Sequence, residues 1–230
     1  MPYQRHPSFK TPEERVVIWR YMDLAKLCAL LVDKALYFCT PAVLAQADPF
    51  EGQPFLSIDD IKRDLTTASG DDISRITYSD FTRKAPFVAY LKRNGLTLQE
   101  YLKRRWSAFM HANFVNCWHM NDDESQAMWK IYAGENAGIA VQSTVGRLIK
   151  ALSKDSQPVH IDEITYVDRS QYIRQRKGTS RSPYMYKRKE FEYEKEMRAL
   201  RLIPLSQVNQ NLGLAGQIRN GAGFEFFGRS

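Results

Sequence analysis

Apolar positions fall into short blocks whose period changes along the chain. Val16 to Tyr21 is an apolar run of strand length, and beyond Asp23 the leucines at 24, 27, 30 and 31 recur at helical spacing. Asp23 suits the first position of that helix, because its carboxylate can accept from amides that the opening turn leaves unpaired. Ala35 to Cys39 then reads as a short buried strand ahead of Pro41. The chain opens strand, helix, strand.

In Asp48-Pro49-Phe50-Glu51-Gly52, the proline restricts its predecessor and the glycine can leave ordinary backbone conformations, which predicts a turn. Residues 45–86 otherwise read as a small helical insertion, with a short helix starting between Ser57 and Asp60 and a loop over Thr66 to Asp72. Thr97 and Glu100 form the Thr-x-x-Glu capping box, and Leu98, Tyr101, Leu102, Trp106, Phe109 and Met110 follow at helical spacing, with Trp106 expected in the core. That helix runs to about Ala112.

The densest polar stretch is CWHMNDDESQAMWKIYAGENAGIAVQS, from Cys117 to Ser143. It reads as a strand over Asn113 to Trp118, a helix capped by Asn121 and Glu124, running through Tyr132 and ending at Gly134, and a strand over Gly138 to Ser143. Val145, Leu148, Ile149 and Leu152 outline a further helix, and Ile161 to Val167 a further strand. FEYEKEMRALRLI reads as a short helix entering a strand, with Glu196 and Arg198 at the strand or its entrance. A longer charged helix is the other reading. The expected architecture is a single mixed α+β domain with a central, partly antiparallel sheet and a helical insertion over residues 16–205. A flexible lead-in over residues 1–15 and an irregular Gly-rich tail over 206–230 flank it.

Composition adds three constraints. With 43% apolar and 12% aromatic residues in 230, the chain can bury one sizeable core, despite a mean hydropathy of −0.47. Three cysteines without paired zinc spacing suit reduced thiols. The polar opening lacks a signal core, and no later run reaches the ~18 apolar residues of a membrane span, so a cytoplasmic chain without a membrane partner is expected. Charge is local: of 33 basic and 26 acidic residues, 11 and 4 fall between Arg169 and Arg201. Such a field attracts nucleic acid or phosphate ligands, or is a solvated helical face.

Cys117 and His119 share a face of an extended strand, but a nucleophilic pair needs a base aimed at the thiolate, so both are read as structural or pocket-lining. Spacing supplies no fourth metal ligand, and no metal is expected. The Asp122, Asp123 and Glu124 acids suit a helix start. Tyr132 can project its hydroxyl into a polar cleft. Arg20, at a strand end, can grip a phosphate bidentately, and Glu196 can orient a hydroxyl or activate an acceptor; a salt-bridge network of Arg20, Glu194, Glu196 and Arg198 is the alternative. Tyr186, Lys187, Arg188 and Lys189 interleave an aromatic ring with basic side chains, as RNA or DNA binding would require, or form a solvated basic turn. No P-loop, Rossmann glycine pattern, HExxH or serine elbow is present.

The blocks WRYMDLAKLCALLVDKALYF, ADPFEG, CWHMNDDESQAMWKIYAGENAGIAVQS and YKRKEFEYEKEMRAL resemble the bacterial and phage domain-of-unknown-function 2971 family over most of residues 19–200. More remotely, that pattern is similar to the ADP-ribosyltransferase fold. The resemblance implies NAD as cofactor, with Arg20 holding it, Tyr132 and Ser143 lining the nicotinamide side, and Glu196, with Glu194 as competitor, organising ribosyl transfer. It implies a protein or nucleic-acid acceptor in a phage-defence or toxin setting. Hydrolysis or transfer on another nucleotide-like ligand, with Glu196 as acid or base, is a further reading. A non-enzymatic nucleic-acid-binding or ribonucleoprotein-interaction module is the alternative from a different class.

Overall fold

The computed structural model describes residues 3–7, 9–49, 51, 89, 92–97, 100, 104, 107, 110–111, 113–133, 138–153, 158–168 and 183–201. Residue 50 and residues 52–86 of the expected insertion, Trp106, Gly134 and the Gly-rich tail lie outside them.

Strand β1 (Val17–Asp23) passes directly into helix α1 (Leu24–Asp33), where Asp23 accepts from the Lys26 amide at 2.8 Å, as its position in the sequence predicts. Helix α2 (Pro41–Ala47) follows, with proline at its start, where a missing N–H costs nothing. Strand β2 (Phe114–Met120), strand β3 (Gly138–Thr144), helix α3 (Val145–Leu152), strand β4 (His160–Glu163) and strand β5 (Thr165–Val167) come next. Strand β6 (Tyr186–Arg188), a 3-10 turn (Lys189–Glu194) and strand β7 (Glu196–Arg201) complete the order.

Five strands form one antiparallel sheet in the order β3-β1-β2-β7-β4, and β5 pairs with β6 in parallel beside it. This is a single mixed α+β domain with a central antiparallel sheet. Alternation assigns the two faces. Ile18, Trp118, Met197 and Ala199 point to one side, where Val145, Leu148 and Leu152 of α3 cover them. On the other side, Val115 and Leu200 meet Tyr184 and Met185, while Trp19 and Tyr21 meet Met128.

Four local expectations change. The helix after β2 is a single turn (Gln126–Met128) that widens into a π turn (Trp129–Ala133), and its cap is Ser125, not Asn121 with Glu124. Asn121 instead donates to the Asp123 carbonyl at 2.7 Å. The leucine stripe of α1 does not form a core face: Leu24 and Leu31 are 50% and 65% exposed, with only Leu30 packed partly on the core. The strand expected over Ile161 to Val167 is two strands, broken at Ile164 as the chain leaves β7 for β6. The N-terminal segment, expected as a flexible lead-in, lies along β4: Gln4 N donates to the Val159 carbonyl at 3.0 Å and Lys10 N to Asp162 at 2.6 Å.

Among the described residues, no helix is long and apolar enough to cross a membrane.

Candidate functional site

The register across β1, β2 and β7 aligns Trp19, His119 and Glu196 in one row, with Cys117 opposite Arg198 in a neighbouring row. Paired residues share a face, so the charged residues of β7 rise beside the thiol and the imidazole of β2. The chain reaches Glu196 through a sharp corner. Glu194 ends a 3-10 turn, Lys195 takes a left-handed conformation at φ 39°, and Glu196 opens β7. That corner brings two carboxylates onto the same small volume.

One lysine holds both. Lys187 Nζ, supplied by β6, is 2.5 Å from Glu194 Oε2 and 3.4 Å from Glu196 Oε2. Arg198 grips Glu196 bidentately, with Nε at 2.7 Å from Oε1 and Nη2 at 2.9 Å from Oε2, and donates through Nη1 to the Tyr184 carbonyl at 2.6 Å. A third carboxylate comes from the turn after α2. Glu51 N donates to the Asp48 carbonyl at 2.8 Å, the turn that Pro49 predicts, and the Glu51 carboxylate bonds Arg198 and lies 3.7 Å from Lys187. Asp48 itself pairs with Arg188 at 3.1 Å. Two cations thus face three carboxylates, all five side chains buried.

Burial alone would raise the Glu196 pKa, but the Arg198 and Lys187 charges outweigh it and hold the carboxyl down at about 2. Glu194 moves the other way: burial raises it, and Glu196 nearby adds to the rise against the pull of Lys187. Burial opposes the charge of Lys187, yet Glu196 and Glu51 keep the ammonium protonated well above the ordinary lysine range. The same shell perturbs its rim. Tyr132 is 44% exposed, but burial of its phenol end and the Glu194 charge push its pKa up. Tyr166 accepts from the Glu196 amide at 2.7 Å, and burial raises its phenol too.

Cys117 joins this cluster to the gap between β1 and β2. Burial, then the Glu196 charge, push its thiol far above the ordinary range, so it is not a nucleophile at neutral pH. Cys39, bridged to Val115, is raised to about 11 by burial. Cys28, Cys39 and Cys117 are all free thiols. Arg20 lies in the gap, where Nη2 donates to the Tyr37 carbonyl at 3.2 Å and the guanidinium is 6.0 Å from the Trp118 ring. Burial lowers its pKa, while Cys117 and Cys39 counter the fall. No carboxylate pairs with it among the described residues.

The sequence-predicted residues are therefore distributed unevenly. Glu196 and Tyr132 belong to one electrostatic group, whereas Arg20, two residues from Ile18, stands with Trp118 on the opposite face and is linked to it only through the charge of Cys117. Ser143 does not join them: it pairs with Ile18 on the outer strand β3, on the face opposite Glu196. The YKRK run is not an exposed basic patch. Tyr186 and Lys187 are buried, Arg188 is paired with Asp48, and the Lys187 and Arg188 cations flank the Phe191 ring at 4.9 and 5.0 Å; Lys189 is the exposed member. The characterisation of the chain as ADP-ribosyltransferase-like, NAD-binding, nucleic-acid-binding and acting in phage defence is corrected accordingly. The basic segment behind it is turned inward onto carboxylates, and the expected nicotinamide wall is split between two sheet faces. Among the described residues, no group of His, Cys, Asp and Glu is arranged to hold a metal ion.

Sequence reasoning missed Glu51, Tyr166 and the inward role of Lys187. The flanking PYMY run was a signal for Lys187, since a charge beside so many large apolar residues is pulled into the core with them. Glu51 carried no such signal, because only the fold brings it to Arg198 across 147 positions.

Residues 128–199 match the family model described as protein of unknown function (DUF2971), a window that includes Tyr132, Lys187, Glu194, Glu196 and Arg198 but not Arg20, Glu51 or His119. No curated protein and no solved structure matches the chain.

Proposed function

We propose that the chain is an enzyme that breaks or transfers at a glycosidic bond. One observation supports this above the rest: two carboxyls, a residue apart in the chain, share one lysine nitrogen, and only Glu196 is also chelated by Arg198. Where environments separate a pair in this way, the member of raised proton affinity serves as proton donor and the member of depressed affinity as fixed negative charge.

In this reading Glu194 gives its proton to the leaving atom as the bond to the anomeric carbon breaks, and the bonding electron pair departs with the leaving group. Positive character on the sugar ring is stabilised by the Glu196 carboxylate, which Arg198 and Lys187 hold in place. Water or an acceptor hydroxyl then adds to the anomeric carbon and returns its proton to Glu194. Tyr132, half in solvent, forms the wall of the entrance. Both carboxylate oxygens bond the same Nζ, so their separation cannot exceed the sum of 2.5 and 3.4 Å. That falls short of the ~6.5–9.5 Å that an inverting pair leaves for water, and predicts net retention at the anomeric centre.

The test is a panel of nucleoside phosphates, sugar phosphates and aryl glycosides, followed by NMR of the anomeric proton. Turnover with retained configuration is expected, with Glu194→Gln lowering kcat by about 100-fold or more. Absence of turnover across the panel, or full activity in Glu194→Gln, sinks the proposal.

A further inference from the structure

His119 stands in the same row as Glu196 and is 3% exposed. Its two nitrogens are treated unequally. Nδ1 is 2.6 Å from the main-chain carbonyl of Glu194, while Nε2 is fully buried with no partner among the described residues. Burial lowers its pKa, so the ring is neutral near pH 7 and its one proton must sit on Nδ1 to satisfy a carbonyl that can only accept. A buried acceptor left unpaired costs about 1–3 kcal/mol, a cost that a hydrophobic residue at 119 would not carry. The structure therefore keeps a donor at that place.

The carbonyl it holds is not an ordinary one. It belongs to the last residue of the 3-10 turn, immediately before the left-handed Lys195. The corner is clamped again on its other side, where Met120 N donates to the Lys195 carbonyl at 2.9 Å and Lys195 Nζ to Asn121 at 3.0 Å. His119 and Met120 thus fix the peptide units from which the two carboxylates diverge, and Asn121 holds the Lys195 side chain. Of these contacts, only that of His119 acts on the Glu194 peptide itself.

We infer that His119 is a positioning residue: its Nδ1–H fixes the Glu194 carbonyl and so sets the direction in which the Glu194 carboxyl meets Lys187. The inference rests on the reading of Glu194 as the proton-carrying group. The charged and titratable groups around that carboxyl are Lys187 from β6, Glu196 from β7, Glu51 from the turn after α2, Tyr132 from the π turn and Tyr166 from β5. Lys195 acts on His119 itself, lowering its pKa further, and Tyr21 from β1 sets its ring edge to face at 6.2 Å between centroids.

Two measurements on the full chain decide it, and neither needs a substrate. Nitrogen-15 NMR of the histidine rings reports the tautomer. A neutral Nδ1–H form of His119 across neutral pH is expected, and an Nε2–H form overturns the inference. Carbon-13 titration of the glutamate carboxyls, with Glu194 assigned by its loss in Glu194→Gln, then compares two polar variants. His119→Asn keeps a donor where Nδ1 stood and should leave the Glu194 titration near its wild-type position. His119→Gln carries its donor to the Nε2 position and should move the titration by about one pH unit toward the ordinary glutamate value. Equal titrations in the two variants overturn the inference. If wild-type protein turns over no glycoside, the reaction above falls while the tautomer and titration still judge His119. If it does turn over, the alkaline limb of the pH profile, set by loss of the Glu194 proton, moves in His119→Gln and not in His119→Asn.

Discussion

A single carboxylate can be a stabilising or a destabilising element of this fold, depending on which side of the Lys195 corner it stands. Glu196 has its folded pKa depressed from the ordinary 4.5 to about 2, so it contributes stability that is fully present above the unfolded value and lost as pH falls from 4.5 through 2. Glu194 has the opposite sign. Its folded pKa is raised, so the folded state takes up a proton before the unfolded one, and this group adds stability as pH falls toward 4.5. Urea midpoints measured from pH 7 downward should therefore hold or rise in mildly acid buffer and collapse steeply below about pH 4.5. In Glu194→Gln the mild-acid gain should vanish while the steep acid loss remains. A gain that persists in that variant would assign it to another group. The sequence made the rivalry of Glu194 and Glu196 visible, because both flank one short strand entrance. It could not assign opposite roles, since those depend on Arg198 chelating only the second of them and on Glu51 arriving from far away.

Short elements were legible where both the stop signal and the packing face lay within a few residues. Asp23 and the Thr97/Glu100 pair cap as their spacing predicts, with Thr97 N donating to Glu100 at 2.8 Å and Glu100 N donating back to Thr97 Oγ1 at 3.1 Å. The α3 pattern of Val145, Leu148 and Leu152 is the buried face observed, capped by Thr144. Period alone misled in α1, because a helical stripe of leucines says which residues share a side and not whether anything covers that side. It also misled at Ser125, where Tyr21 reaches across from β1 to accept the Ser125 amide at 2.8 Å and fixes the cap one residue later than Glu124. These differences yield a paired expectation. Thr97→Ala removes this reciprocal pair of hydrogen bonds with Glu100 and should cost about 1 kcal/mol by urea unfolding. Leu31→Lys, at a position 65% exposed, should fall within about 0.5 kcal/mol of wild type. A loss near 2 kcal/mol for Leu31→Lys would mean that α1 packs against something beyond its exposed setting.

At the scale of the molecule, the order of strands is the property that local pattern does not reach. Strand β2 sits between β1 and β7, partners separated from it by roughly a hundred positions on one side and eighty on the other, and no propensity encodes that choice. What selects it is agreement of two surfaces. Ile18, Trp118 and Met197 must line up under α3, while His119, Cys117, Glu196 and Arg198 must line up on the reverse, and only the observed register satisfies both. The central strands are thus locked from both faces, by close packing on one and by paired charges on the other. Helix α1 has no buried residue, and beyond its cap only Leu30 packs partly on the core. Local opening should follow that division. In native-state hydrogen exchange, the amides of Val115 and Trp118 in β2 and of Met197 and Leu200 in β7 should exchange last, at the free energy of global unfolding, whereas those of Ala29 to Asp33 should exchange several kcal/mol sooner. Because the charge cluster is buried, raising salt should leave the β7 protection nearly unchanged, since screening acts on exposed charges and hardly on buried pairs. Exchange in α1 as slow as in β7, or a β7 protection that falls steeply with salt, would mean that the sheet is not held together at the Glu196 to Arg198 cluster.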